Sequence, residues 1–335
     1  MIPNLAQHTV SVTGHALGTR IVLTAFGTTD RALLQRTLQL IDHYEDLLTV
    51  NRNHSMVMSV NQAAGNHPVQ LTPMVYTLVK RAVEVSRQRF GFNALIGPLV
   101  KAWRIGFKGA HVPTDEQIAA KLRLTDPDEV ELNDQDQTVY LRQTGMEIDL
   151  GGIAKGYIAD RIRDYWRSAG LQSGIINLGG NLLFVGPSPR RQDGHWVIGI
   201  QDPRKVRGRD LQQVVMPECS AVTSGTYERV LVQNGHRYHH LLDPQTGRPR
   251  RTSLSSVTVF ARDSITAEIE TKRLFLRASH LSGGASGGLT SMVPFLLTRM
   301  TKQSWSAYPL TETKDINRAV TIEWFAAFCY HQHRF

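Results

Sequence analysis

Apolar and polar positions alternate from Thr9 to Phe26 in two short runs around Gly14 and Gly18, the period of half-buried strands. From Asp30 to Leu48 the period changes. Leu33, Leu34, Leu38, Ile41, Tyr44, Leu47 and Leu48 share one helical face, with Thr29 or Asp30 placed to cap it. Thr72-Pro73 opens a second helix, Thr as cap and Pro at the first position, running to about Arg89 and stopping before Gly91. Gly91 to Val100 reads as an apolar loop with Asn93 as its one strong polar group. Lys101 to about Arg123 is irregular and then helical, and strands around Val130 and Thr138–Leu141 lead to Met146-Glu-Ile-Asp149. A third helix, Ala154 to Ala169, buries Ile158, Ile162, Tyr165 and Trp166 and ends at Gly170. Short strands follow at Gly174–Asn177, Leu182–Val185, Trp196–Gln201, Ala221–Thr223, Val230–Gln233, His239–Leu242 and Ser256–Ala261.

Runs of strands broken by a few helices predict an α+β fold, a mixed or largely antiparallel sheet with packed helices. Nothing divides the patterned region, so residues 9–276 are expected to form one domain. The Gly-Gly-Ala-Ser-Gly-Gly stretch from Gly283 to Gly288 is a seam before a less patterned tail, and residues 277–335 are expected to pack on the same domain.

Composition narrows this. At 335 residues and 41% hydrophobic the chain can bury a sizeable core. Two cysteines, Cys219 and Cys329, are too few for a disulfide framework and lack zinc-site spacing. The net charge of +9 suits an acidic partner. The basic residues are scattered and not interleaved with aromatics, so no nucleic acid is expected, and a small polyanion such as a dinucleotide uses the same field. No run of about 20 apolar residues exists to span a membrane. The start, Met1-Ile-Pro-Asn-Leu-Ala-Gln-His8, has neither a signal-peptide core nor a cysteine to lipidate, which predicts a cytoplasmic protein.

Four segments can carry chemistry. In Asp149-Leu-Gly-Gly-Ile-Ala-Lys155 two glycines allow a tight turn and close approach of a ligand, and the helix behind them aims its positive dipole end at the same spot. Lys155 lies in the first turn of that helix, where a cation is unfavourable unless an anion is bound; a capped turn with a solvated lysine fits the spacing as well. Ile176-Asn-Leu-Gly-Gly180 is a second strand-end glycine turn whose amides can meet a phosphate or a flavin edge, and most such pairs are plain turns. Ser224 lacks the G-x-S-x-G flanks of a hydrolase nucleophile. His239 and His240 are adjacent on a strand, so only one of them can enter a site.

Taken in order, the segments resemble the ApbE family of FAD:protein FMN transferases over roughly residues 9 to 276. The pattern runs through Ala16-Leu-Gly-Thr19, Ser55 to Asn61, Gly91-Phe-Asn93, Gly97-Pro-Leu99 and Trp103. It continues through Asp149 to Tyr157, Asn177 to Gly180, Ser224 to Arg229 and His240 to Gly247. The resemblance implies a bacterial enzyme that cleaves the FAD pyrophosphate, attaches FMN through a phosphoester to a Thr or Ser of an acceptor flavoprotein, and releases AMP. It places Leu17, Gly91, Phe92, Asn93, Asp149, Lys155, Asn177, Gly179, Gly180, Ser224 and His240 around FAD, with His240 and Lys155 catalytic. It implies Mg²⁺ on the Gly152 carbonyl and on a C-terminal Asp and Thr. Here those last positions read Glu268 and Lys272, with Thr271 one residue earlier. Lysine cannot ligate a cation while protonated. Water in place of the acceptor gives an FAD pyrophosphatase, and loss of turnover gives a flavin-binding protein.

Overall fold

The structure, a computed structural model, describes residues 8–52, 54–252, 254–277, 295–301, 304–308 and 324–330. The Gly283–Gly288 seam lies outside them. Strands β1 (Thr9–Ala16) and β2 (Thr19–Phe26) form a hairpin paired Ala16 to Thr19. Its two-residue turn, Leu17-Gly18, has φ of +55° and +66°, as a strand-matched tight turn requires. Gly14, expected at a break, lies inside β1, where a Cβ would stand 2.9 Å from Leu38.

Helix α1 (Arg31–Leu48) is capped by Asp30, which accepts from the Leu33 amide. A short helix α2 (Met56–Gln62), capped by Ser55, leads to strand β3 (Val69–Gln70) and helix α3 (Pro73–Arg87). Gly91 to Val100 is not the expected loop. Asn93 caps a 3-10 turn at Ala94–Ile96 that runs into helix α4 (Gly97–Trp103), with Pro98 preset for its first turn. Helix α5 (Asp115–Leu122) carries a reciprocal Thr114–Gln117 cap. Strands β4 (Val130–Asn133) and β5 (Thr138–Leu141) join β3 in a small sheet, order β3-β5-β4.

The remainder builds the main sheet and its cover. It comprises α6 (Ala154–Ser168), β6 (Ser173–Leu178), β7 (Asn181–Val185), β8 (Trp196–Gln201), β9 (Asp210–Met216) and β10 (Ser220–Gly225). After these come β11 (Val230–Gln233), β12 (His236–His239), β13 (Leu254–Ala261), α7 (Ser264–Arg277), β14 (Phe295–Thr301), β15 (Ser304–Tyr308) and β16 (Trp324–Tyr330). The nine-stranded sheet has the order β1-β2-β6-β7-β10-β13-β16-β14-β15, antiparallel at every step, and hairpins β8-β9 and β11-β12 flank it. This is the α+β class that the pattern predicts.

The strand expected at His239–Leu242 starts three residues earlier. A turn at Asn234 and Gly235, both at positive φ, launches β12 at His236 and leaves His240 beyond the ladder. Met146–Leu150, expected to end a strand, has no ladder partner. Neither α7 nor β9 is visible in the apolar pattern. Helices α1 and α6 pack on the sheet, and α3 joins them in the same core through Leu34, Ile41, Val79, Ile158 and Trp166. Cys219 is buried, which pushes its thiol up to about 12. Among the described residues no helix is long and apolar enough to cross a membrane.

Candidate functional site

Without a ladder, the segment before the glycine turn is gripped by side chains. Asn61, at the end of α2, donates to the Ile148 carbonyl at 2.9 Å and accepts the Ile148 amide at 2.7 Å. The Asp149 amide donates to the Ala94 carbonyl at 2.7 Å, and a Cβ on Gly97 would stand 2.8 Å from the Glu147 oxygen, so only glycine lets α4 approach. Asp149 Oδ1 accepts from the Gly151 amide at 2.7 Å and ties the turn. No side chain caps α6, so the positive end of its dipole faces the site unshielded. Burial raises the Asp149 carboxyl above its usual value, against the Gly151 amide and the cations Arg229, Lys101 and Lys155.

Helix α7 crosses α6 where Gly156 faces it; a Cβ there would stand 2.5 Å from the Ser264 carbonyl oxygen and 2.8 Å from Glu268 Cγ. This close crossing brings Lys155 Nζ to 4.0 Å from Glu268 Oε1. Glu268 is buried, accepts from Asn181 Nδ2 at 2.9 Å, and pairs through Oε2 with Lys272 one turn along. Asn181 in turn accepts from Ser264 Oγ at 2.9 Å. Burial acts to raise Glu268, but Lys272, Lys155 and the Asn181 amide outweigh it and leave the carboxyl below its usual value. Burial, assisted by Lys155, holds Lys272 below the usual lysine value against the pull of Glu268. On the next face of α7, Thr271 donates to the Glu268 carbonyl at 2.8 Å and accepts from Ser224 Oγ at 2.9 Å.

The two histidines divide as strand geometry requires. Nε2 of His239 meets the Arg250 carbonyl at 2.8 Å and Nδ1 accepts the Leu241 amide at 3.2 Å, so this ring is structural. His240 turns the other way. Its ring hydrogen-bonds the Arg229 backbone, and its Nδ1 is buried with no partner among the described residues. Burial first, then Arg229, His239 and Lys155, push its pKa down to about 3, so the imidazole is neutral at pH 7. The Arg229 guanidinium lies over the Phe107 ring and 3.7 Å from where a Gly18 Cβ would sit, which brings the Leu17-Gly18 turn to the same place.

Phe92 links this charged cluster to a cavity. A Cβ on Gly152 would stand 3.3 Å from the Phe92 ring and 3.7 Å from Lys272 Cε. Phe92 and Asn93 also line a cavity of about 590 Å³, opposite Gln245 and Pro244. That is the size and mixed polarity of a small-molecule site. Asn93 donates to the Thr125 carbonyl at 2.9 Å, and Gly91, at φ +90°, packs against Arg273 and Leu276 of α7. Asn177 opens the second glycine turn, next to the β1-β2 hairpin. Its Oδ1 accepts the Gly179 and Gly180 amides at 3.1 and 3.3 Å, and a Cβ on Gly179 would stand 2.0 Å from Thr19 Oγ1. Those two amides serve the turn rather than a ligand in this arrangement.

The profile of the ApbE family matches residues 17–280. The chain is 47% identical over 260 residues to an FAD:protein FMN transferase of Klebsiella pneumoniae, covering 77% of this chain and 79% of that one. It is 36% identical over 249 residues to the one of Treponema pallidum, covering 71% and 69%. This chain belongs to the ApbE family. Among solved structures, the ApbE protein of Thermotoga maritima superposes with a TM-score of 0.75 at 30% identity, covering 81% of this chain and 88% of that one. The flavin transferase ApbE of Vibrio cholerae gives 0.71 at 25% identity, over 92% and 98%.

Asn181 and Arg229 also stand at the candidate site, and the apolar pattern assigns neither of them a role. Arg229 closes the Ser224–Arg229 motif, a signal the sequence carries, whereas Asn181 leaves none that distinguishes it from a strand-end polar residue. The donor set for Mg²⁺ fits poorly. Among the described residues no group of three or more His, Cys, Asp or Glu side chains is gathered to hold a metal. Glu268 already pairs with Lys272 and faces Lys155 at 4.0 Å. A dication beside Glu268 would be repelled by both ammoniums that already compensate its charge.

Proposed function

We propose that this chain transfers FMN from FAD to a Thr or Ser hydroxyl of an acceptor flavoprotein, forming a phosphoester and releasing AMP. The observation that carries the reading is the convergence of His240, with its unpartnered Nδ1, on Lys155 and Arg229 at the uncapped end of α6. The relatives' names support it, and the cavity beside Phe92 offers an apolar slot next to a cationic cluster.

In this reading the acceptor oxygen attacks the FMN phosphorus. The bond from that phosphorus to the bridging oxygen breaks, and AMP leaves with the electron pair. The hydroxyl proton passes to Nδ1 of His240. Lys155, Arg229 and the α6 amides offset the diphosphate charge. A bound diphosphate opposes the part of the His240 depression that comes from Arg229 and Lys155, while burial, the larger cause, remains.

The test is incubation with FAD and a candidate acceptor, read as fluorescent flavin that stays on the denatured acceptor. Free FMN formed without acceptor identifies a pyrophosphatase instead, and FAD recovered intact identifies a binder.

A further inference from the structure

Lys272 occupies a place that the family pattern assigns to a hydroxyl. It lies one helical turn from Glu268 on the same face of α7, and its ammonium is paired to Glu268 Oε2. Its Cε passes 3.7 Å from the position of a Cβ on Gly152, so the side chain that pairs with Glu268 also lies against Gly152. Gly152 and Glu268 are two of the positions that the family resemblance assigns to Mg²⁺. Asn181 and Lys155 take the other carboxylate oxygen. Glu268 therefore has a charge partner or a donor on both oxygens, supplied by the chain itself.

We propose that Lys272 is a tethered cation that stands in for a divalent metal, so that this chain engages the FAD diphosphate without Mg²⁺. The inference rests on the transferase reading for the identity of the anion. The geometry of the cation does not depend on it. The ammonium brings one positive charge to the position beside Gly152, and Lys155 adds a second from the first turn of α6. A diphosphate lying across that turn meets both, and Arg229 adds to the same positive field, which also acts on Asp149.

Two readouts other than transfer test it. Mn²⁺ binding to the full chain, followed by electron paramagnetic resonance, is expected to show no stoichiometric site in the wild type, with or without FAD. FAD affinity, followed by flavin fluorescence, is expected to differ by less than about twofold between Mg²⁺ and EDTA. K272M should weaken FAD binding by about tenfold or more in both conditions, the loss of one charge-assisted contact. K272T should bind weakly in EDTA and recover with Mg²⁺. Because K272M leaves Glu268 buried with less compensation, the double variant E268Q/K272M, which removes both charges, serves as the folded control and should bind FAD as weakly as K272M.

Stoichiometric Mn²⁺ bound to the wild type, or FAD affinity that collapses in EDTA, overturns the proposal. FAD binding that is absent from every variant and condition overturns the transferase reading instead, and the Mn²⁺ readout still decides the role of Lys272.

Discussion

Asp160 of α6 caps α7: its two carboxylate oxygens accept the amides of Ser264 and Ile265, each at 2.9 Å. The cap fixes the helix that carries Glu268, Thr271 and Lys272, and it continues through Ser264 and Asn181 to the Glu268 carboxylate. Arg163, bonded to the Arg262 carbonyl and to Asp263, braces the same corner.

Asp160→Ala is expected to destabilise the fold by about 2 kcal/mol, the range for losing a cap and leaving buried amides unpaired. Urea unfolding measures it. Burial pushes Asp160 up to about 6, above its ordinary 3.8. A raised carboxyl contributes stability that is complete below the unfolded value and lost as pH rises through the folded one. The wild type therefore loses that part between about pH 4 and pH 6, and Asp160→Asn does not. The variant should cost more at pH 4 than at pH 7, and an equal cost at both would contradict this.

Gly156→Ala should force α6 and α7 apart, since the new methyl meets the Ser264 carbonyl backbone at 2.5 Å. Backbone cannot swing aside as a side chain can. We expect about 1–3 kcal/mol of lost stability and weaker FAD binding together. Retention of both would mean that the crossing is softer than its contacts imply.

Leu17 sits at φ +55°, a conformation that costs a branched side chain about 1–2 kcal/mol relative to glycine. The Glu45 carboxylate holds it there by accepting its amide at 2.8 Å. The family resemblance places Leu17 against FAD, and Arg229 lies beside the same turn. Leu17→Gly should therefore leave the melting temperature within a few degrees, because relief of strain offsets lost packing, while FAD affinity falls. Unchanged affinity in calorimetry would remove Leu17 from the site.

The sequence pattern reaches most of this fold. Helices α1, α3 and α6 were legible because their buried faces are apolar. Helix α7 was not, because its buried face mixes Ala267, Leu274 and Phe275 with Glu268 and Thr271, and its cap comes from Asp160, 104 residues away in sequence. The glycines also misled in one place: Gly14 marks a close approach to Leu38 and not a turn. At the site, Asp149, Lys155 and His240 were legible as chemistry at a strand end or helix start. Their supports, Asn61 and Asn181, were not, since a buried amide that clamps backbone or orients a carboxylate leaves no periodic trace.

His240 gives the sharpest pH expectation. Its folded pKa of about 3 lies below the ordinary 6.5, so its neutral burial contributes stability that is complete above pH 6.5 and is lost as pH falls toward 3. His240→Gln removes that dependence, and its stability should fall less steeply than the wild type's between pH 6.5 and pH 4 in urea titrations. In catalysis the same change removes the group that takes the acceptor proton. Transfer should drop by about 10²–10⁴-fold, the usual contribution of a positioned general base. FAD affinity should stay within a few-fold, because Lys155 and Arg229 remain. A variant that transfers FMN at the wild-type rate would assign the proton to another group. One that loses FAD binding would make His240 a binding residue.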